Sequence, residues 1–403
     1  MLSLRTLVCL SAVLLGLASG TACADELSLR VDGAIERALA QKRIVGTVVI
    51  IARDGKIVYR RAAGYFDREA GTPMPVDALF RLASLSKPIV TAAALALVDK
   101  GVLGLDDPVV RWLPSFHPKL ADGSSPVITI RELLTHTAGL TYGFLEPTVG
   151  PYHRAGVSDG MDRPGLRMDD ELRRVSNAGL RYAPGEDWGY SVAIDILGAA
   201  ISKASSQQLP QLVQRLVTEP LAMADTSFAV ADARRLAIPY VDGKPEPAKM
   251  ADPDTVPFAG LAGISLSPSR ALVPESFASG GSGMIGSADD YIRFLETLRS
   301  GGAPILKSPT VRAMMSNQIG SLRVKNRPGW GFGYGAAVIL DPQTASSPQS
   351  PGTWTWSGVY GHYFFVDPLQ NLSVVALTNT AVEGMNGSFT IDIRDAVYGA
   401  PAR

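Results

Sequence analysis

Cysteine is almost missing from this chain of 403 residues: there are two, Cys9 and Cys23, both within the first two dozen positions. Nothing beyond them can form a disulfide framework, a cysteine nucleophile or a thiolate metal site. Histidine is scarce as well. His117, His136, His153 and His362 stand singly, never in H-x-x-x-H or H-E-x-x-H spacing, so no metal site is expected. Nor is there an excess of one charge, because 38 Lys and Arg face 38 Asp and Glu. That balance leaves no net field to draw nucleic acid, anionic lipid or a highly charged substrate to the surface. Small, roughly neutral substrates suit it better, and no nucleic-acid partner is expected.

A run long enough to span a membrane is also lacking. Leu7 to Leu17 is almost wholly apolar but falls short of the ~20 residues a spanning helix needs. Arg5 precedes it, and Ala22-Cys23-Ala24 offers a small-residue cleavage site before Asp25 and Glu26. Residues 1–24 therefore read as a signal peptide, and the chain as an exported protein, periplasmic or secreted, with no stable membrane insertion after signal removal. A lipoprotein acylated on Cys23 would need a large aliphatic residue where Gly20 stands. With Cys9 and Cys23 removed, the mature chain would hold no thiol.

What is present is an ordinary globular composition, 46% apolar, enough for a sizeable core. A helix is predicted from about Leu27 to Gln41. Thr47 to Ala52 and Lys56 to Tyr65 read as strands joined by the hairpin turn Asp54-Gly55. From Ser84 to Lys100 the residues Ile89, Val90, Ala93, Leu97 and Val98 keep helical spacing until Gly101. The middle of the chain mixes helical stretches (Arg131 to Leu134, Ser191 to Ser202, Leu209 to Val217, Ala288 to Arg299) with Pro- and Gly-rich loops and few strand signals. The end turns β again at Gly333 to Leu340, Gly352 to Ser357, His362 to Val366 and Leu372 to Thr378, before a helix near Ser388 to Val397. Gln343 to Pro351 reads as a surface loop. Strands at both ends and helices between them imply an α+β fold, an α/β sandwich in which a central antiparallel sheet is built from N- and C-terminal strands. Residues 25–403 then form a single domain. Its sheet lobe spans about 25–80 and 330–403, and its mainly helical lobe about 81–329, with the site in the cleft between lobes.

Chemistry concentrates first in Ser84-Leu85-Ser86-Lys87 at the head of a predicted helix. Positions i and i+3 share a helix face, so the Ser84 hydroxyl and the Lys87 amine can meet, while the helix start offers free NH groups and a favourable dipole. For Lys87 to take a proton, the site must be partly dry. A four-residue pattern with two fixed positions recurs by chance, but the surrounding Phe80-Arg81-Leu82-Ala83-Ser84-Leu85-Ser86-Lys87-Pro88 resembles the nucleophile motif of the serine β-lactamase and penicillin-binding protein superfamily. The branch it resembles holds class C β-lactamases, D-Ala-D-Ala carboxypeptidases and the family VIII carboxylesterases. Leu133 to Leu140 (with His136, taken as structural), Glu219-Pro220-Leu221-Ala222-Met223 and the Gly-rich Ser279 to Ser287 are similar to that branch too, and in the same order.

The resemblance implies a β-lactamase/transpeptidase-like fold and assigns further roles. Tyr190 matches the tyrosine of the family's Y-x-N segment and would relay a proton with Lys87, the general base, although which of the two formally takes it is left open. Val192 stands where the family's asparagine would bind a substrate amide. Trp356-Ser357-Gly358 stands where K-T-G or H-x-G is expected, the W-x-G form of the carboxylesterases, and would line the substrate site. Val359 would supply one NH of an oxyanion hole and Ser84 the other, each such donor worth about 3 kcal/mol in the transition state. Gly358 would admit the acyl group. A rival, Gly156-Val157-Ser158-Asp159-Gly160, satisfies G-x-S-x-G, but it lacks the strand before and helix after, and reads as a mobile loop near the cleft mouth. Asp99, Asp106 and Asp107 read as capping and solvated turn residues.

The expectation is thus a serine hydrolase that forms an acyl-enzyme on Ser84 and needs no metal or organic cofactor. Short-chain esters are the preferred substrates, because Val192 and Trp356 replace the polar residues that lactams and peptides use. A β-lactamase or D-Ala-D-Ala carboxypeptidase is the alternative, with a lactam as the small-molecule substrate. A catalytically silent binding protein of the same fold is a third reading.

Overall fold

Seven successive residues from Gly46 to Ala52 are buried, the pattern of a strand paired on both edges and covered on both faces. The computed structural model, which describes residues 26–400 apart from 231 and 259, places this strand at the join between the two ends of the chain. The signal-peptide reading and both cysteines fall outside the described residues.

The main sheet has eight strands. Three come from the N-terminal end: β1 (Gly46–Arg53), β2 (Lys56–Asp67) and β3 (Thr72–Pro73). Five come from the C-terminal end: β4 (Trp330–Phe332), β5 (Ala337–Ile339), β6 (Trp354–Gly358), β7 (His362–Asp367) and β8 (Leu372–Thr378). Their order is β4-β5-β6-β7-β8-β1-β2-β3, antiparallel throughout, so the sheet expected from both termini is present. The seam is β1 against β8, with Val48 opposite Leu377 and Ile50 opposite Val375. The β1–β2 turn is Asp54-Gly55, both at positive φ (51° and 79°), the backbone a two-residue hairpin requires.

Alternate residues serve two cores. On one face Val49, Ile51, Phe365 and Val374 pack under α1 (26–40), through Val31 and Ile35, and under the C-terminal helix Ser388–Tyr398, through Phe389 and Ile393. On the other, Val48, Ile50, Phe364 and Leu377 meet the large core that includes α2 (Ser86–Asp99) and the helix Ala288–Arg299. Helix α2 is apolar all round, with every residue from Ser86 to Leu97 buried, as befits a helix walled in on all sides.

Several elements differ from the sequence-based expectation. The α-helix opens at Ser86, not Ser84, because Ala83–Leu85 forms a separate 3₁₀ turn. The stretch predicted as one helix from Leu209 to Val217 is α-helical over Leu209–Val213 and widens to a π turn over Gln214–Thr218. Met168–Ala178 and Ser308–Met314 are helices that the periodicity did not single out. The middle of the chain also holds short strand pairs, of which Phe80–Arg81 against Ile285–Gly286 matters most, since it clamps the chain just before Ser84.

Candidate active site

Ser84 sits on a turn that its surroundings hold rigidly. The Leu82 NH donates to the Met284 carbonyl at 2.9 Å and the Met284 NH donates to Ser86 Oγ at 3.0 Å. Arg81 anchors the approach by donating to the carbonyls of Pro268 and Ala237, both at 3.0 Å. Ala83, immediately before the nucleophile candidate, is forced to φ 46°, a left-handed conformation costly for alanine that only an over-determined setting keeps. Part of that setting is Gly358, where a Cβ would lie 2.6 Å from the Leu82 carbonyl oxygen. The expectation that Gly358 admits the acyl group is therefore corrected: what approaches it is the backbone of the Ser84 turn.

The 3₁₀ turn keeps the intended spacing, since i and i+3 eclipse in that geometry. Lys87 Nζ lies 3.1 Å from Ser84 Oγ and donates to the Gly281 carbonyl at 2.8 Å. The lysine is 0% exposed, and its nitrogen sits 4.6 Å from the ring centroid of Tyr190 and 5.2 Å from that of Tyr142, inside cation–π range. An ammonium here donates to Ser84, and a free amine in the same place accepts from it.

Tyr190 completes the group from a distant loop, its hydroxyl 2.6 Å from Ser84 Oγ. Its ring is boxed by His136, Tyr142 and Trp356, with centroids 5.0, 4.9 and 5.1 Å away, and the Gly189 NH is tied to the His136 carbonyl. His136 is fully buried, shares a 3.1 Å hydrogen bond between Nδ1 and Ser191 Oγ, and is driven to the neutral form by burial and then by the Lys87 charge. It shapes the wall behind Tyr190. Trp356 donates its indole NH to the Tyr190 oxygen at 3.3 Å, so its single polar atom is committed.

Ser84, Tyr190, Trp356, Ser357 and Val359 open onto one cavity of about 820 Å³. Lys87 lies behind Ser84, and Gly358 faces the turn, so neither lines it. Val359 begins the turn after β6, and its carbonyl accepts the Val382 NH at 3.1 Å. Val192 is 1% exposed, packed in the core and absent from the cavity wall, so no polar group replaces the family's asparagine there.

Sequence reasoning missed Asp195, in the first turn of the helix Ala193–Ser205 that follows Tyr190. Fully buried, its carboxylate accepts from Ser279 Oγ at 2.5 Å and from the Gly281 NH at 3.1 Å, and so holds the residue whose carbonyl binds Lys87. Burial raises its pKa above the ordinary carboxylate value, against the opposing pull of the Ser279 hydroxyl and the Lys87 charge. A lone carboxylate inside the apolar run Ala193–Ile201 was the available signal. Tyr142 and Arg327, also missed, stand in loops without any pattern.

The rival serine is corrected as well. Ser158 is 1% exposed, its NH donates to the Glu171 carboxylate and its hydroxyl to Asp162, and a helix, Pro151–Ala155, precedes it in place of a strand. It is a buried structural turn, not a mobile loop. Asp106, exposed and paired with Arg131, and Asp107, which accepts from the Gly104 NH, are the turn residues expected, but Asp99 is the last residue of α2 and ties down a distant segment, accepting from the Lys307 NH and the Thr310 hydroxyl. Among the described residues no group of three or more His, Cys, Asp or Glu could hold a metal ion.

Comparison with known proteins places this geometry among relatives. A family model described as Beta-lactamase matches residues 31–397. Esterase EstB of Burkholderia gladioli is 50% identical over 377 residues, which cover 93% of this chain and 96% of the relative. The solved structure of EstCE1, described as a hydrolase with promiscuous acyltransferase activity, superposes with a TM-score of 0.91 at 47% identity, covering 94% of this chain and all of that one (100%). Unliganded simvastatin synthase from Aspergillus terreus shares the fold, with a TM-score of 0.71 at 22% identity over 93% of this chain and 98% of that one.

The loop under Ser158 carries a pH dependence of stability. Burial, reinforced by Asp195 and Asp162 against the Ser158 NH and Arg174, pushes Glu171 up to about 8. Burial and Asp162 push Asp159 up to about 7, with Asp195 adding to the shift and the Gly143 and Phe144 NH groups opposing it. Because the folded values are raised, the stability these groups contribute is fully present below the ordinary carboxylate range and is lost as pH climbs through 7 to 8. Urea denaturation at pH 5 and pH 9 should show the wild type losing stability and Glu171→Gln losing less; equal losses would clear Glu171 of the effect.

Proposed function

The chain belongs to the beta-lactamase family and is a serine hydrolase of that superfamily, and from this premise we propose that it is a carboxylesterase acting on small-molecule esters, short-chain ones above all, through a Ser84 acyl-enzyme. The observation that carries the reading is a single oxygen, Ser84 Oγ, within hydrogen-bond reach of both Lys87 Nζ and Tyr190 OH. Two further features favour esters over lactams and peptides. Val192 offers nothing to a substrate amide, and Trp356 spends its one NH on Tyr190. The 50% identity to Esterase EstB supports the same choice.

In this mechanism Ser84 Oγ attacks the ester carbonyl while its proton passes to the Lys87–Tyr190 pair, with Lys87 as the general base. The backbone NH groups of Ser84 and Val359 hold the tetrahedral oxyanion. Collapse breaks the bond to the alkoxy oxygen, which leaves as the alcohol after taking the proton from Tyr190. Water then attacks the acyl-enzyme and gives a proton to the same pair; the bond to Ser84 Oγ breaks, the pair returns that proton to the serine oxygen, and the acid leaves. Trp356 and Ser357 form the substrate wall. The mature enzyme, without residues 1–24, works outside the cytoplasm, in the periplasm or beyond the cell.

A panel of p-nitrophenyl butyrate and nitrocefin tests the reaction. The ester should be turned over far better, Ser84→Ala should abolish both turnover and fluorophosphonate labelling, and Tyr190→Phe should lower kcat by ~100- to ~10,000-fold. Lactam turnover orders of magnitude above the ester rate would overturn the esterase reading, and no Ser84-dependent labelling would favour a silent protein. Gly358→Ala should cut kcat/KM by about 100-fold through a displaced nucleophile turn, whereas unchanged kinetics would show that the turn tolerates the added methyl. For location, the labelled band should appear in the periplasmic or culture fraction at the mass of a chain starting near Asp25; full-length label confined to the cytosol would refute export.

A further inference from the structure

The active-site cavity carries three cations among its described lining residues, and two of them are matched. Lys325 pairs with Asp187 at 2.7 Å, and Arg181 reaches Glu146 at 3.5 Å. Arg327 is different. Among the described residues its guanidinium has no carboxylate partner and no hydrogen-bond acceptor. Burial lowers its pKa from the ordinary arginine value, opposed by the neighbouring phenols of Tyr363 and Tyr190, and an arginine keeps its charge.

The position of this arginine is built. Its NH donates to the Val324 carbonyl at 3.1 Å and its carbonyl accepts the Trp330 NH at 3.2 Å, which fixes the backbone just before β4. Its Cζ lies 5.5 Å from the ring centroid of Trp356 and 5.6 Å from that of Trp330. The two indole rings offer no carbonyl or carboxylate to accept from the guanidinium, so its NH donors are left for another partner. A fork of NH groups on an apolar wall is the arrangement that binds a carboxylate in bidentate fashion, and half-dry surroundings strengthen the pairing. The same Trp356 donates to Tyr190 at 3.3 Å, and Tyr190 reaches Ser84 at 2.6 Å, so Arg327 packs on the ring that adjoins the nucleophile's proton partner.

We infer that Arg327 is the carboxylate receptor of this cavity, and that the ester turned over best carries a free acid group on its acyl or its alcohol side. The inference rests on the esterase reading and specifies its substrate class. It also qualifies the overall neutrality of the chain, since the one unmatched cation among the described cavity residues stands where the substrate binds.

Two matched pairs test it: p-nitrophenyl hemiglutarate against p-nitrophenyl butyrate for an acid on the acyl side, and 4-acetoxybenzoate against its methyl ester for an acid on the alcohol side. In at least one pair the acid-to-neutral ratio of kcat/KM should fall by about tenfold to a hundredfold in Arg327→Gln, mainly through KM, and recover in part in Arg327→Lys. Added salt should lower the wild-type ratio and leave that of Arg327→Gln nearly flat. Ratios that do not change in either pair, in a variant that still labels at Ser84 with fluorophosphonate, would overturn this inference while neutral-ester turnover leaves the esterase reading standing. A wild type that labels at Ser84 yet hydrolyses none of the four esters would sink the esterase reading and this inference with it.

Discussion

A lysine with no exposed surface is the constraint around which the rest of the site is arranged. Burying an amine is costly unless its hydrogens and its charge are met. Here the Gly281 carbonyl, the Ser84 oxygen and the faces of two tyrosines meet them. Each of those partners needs support of its own. Asp195 holds Gly281 by its NH, the boxed ring of Tyr190 is held by His136 and Trp356, and Ser84 is held by the strand pair before it and the glycine facing it. Helix α2, buried from Ser86 to Leu97, walls Lys87 off from solvent on the side away from the cavity. The nucleophile and its proton partners are thus set by packing as much as by hydrogen bonds.

How much of this could be read from the sequence depended on whether the signal was local. The hairpin at Asp54-Gly55 and the longer strands of the sheet announced themselves by turn residues and apolar runs, whereas β3 (Thr72–Pro73) and β4 (Trp330–Phe332) are too short to do so, and of the strand expected over Gly333 to Leu340 only Ala337–Ile339 forms. Ala288–Arg299 was legible to the residue because Ser287 caps it and Asp289 and Asp290 fill its first turn. The helix Met168–Ala178 was not, since only Leu172 and Val175 among its apolar residues are buried and its third buried residue is Glu171, which breaks the periodic stripe. Ser308–Met314 begins with a proline near its start and is too short to show a period.

The site divides in the same way. Ser84, Lys87 and Tyr190 carry their chemistry in side chains at recognisable positions, so motif and spacing found them. The Gly281 carbonyl, the strained backbone of Ala83 and the contact between Gly358 and Leu82 are backbone features brought together from segments far apart in the chain. No pattern encodes them. Arg327 illustrates the same limit, because a guanidinium is remarkable only once the acceptors around it have been counted.

The seam between β1 and β8 has its own consequence for how the molecule comes into being. Thr47 Oγ1 donates to the Leu377 carbonyl, a partner 330 positions away. An emerging polypeptide therefore makes its N-terminal hairpin early and must hold it, with one edge open, until almost the whole chain has been synthesised. The central strand of the finished sheet spends that interval as a sticky, unpaired edge, the kind of surface that chaperones cover and that aggregation exploits. The order of translation, more than the strength of any one contact, sets when this catalyst can first exist.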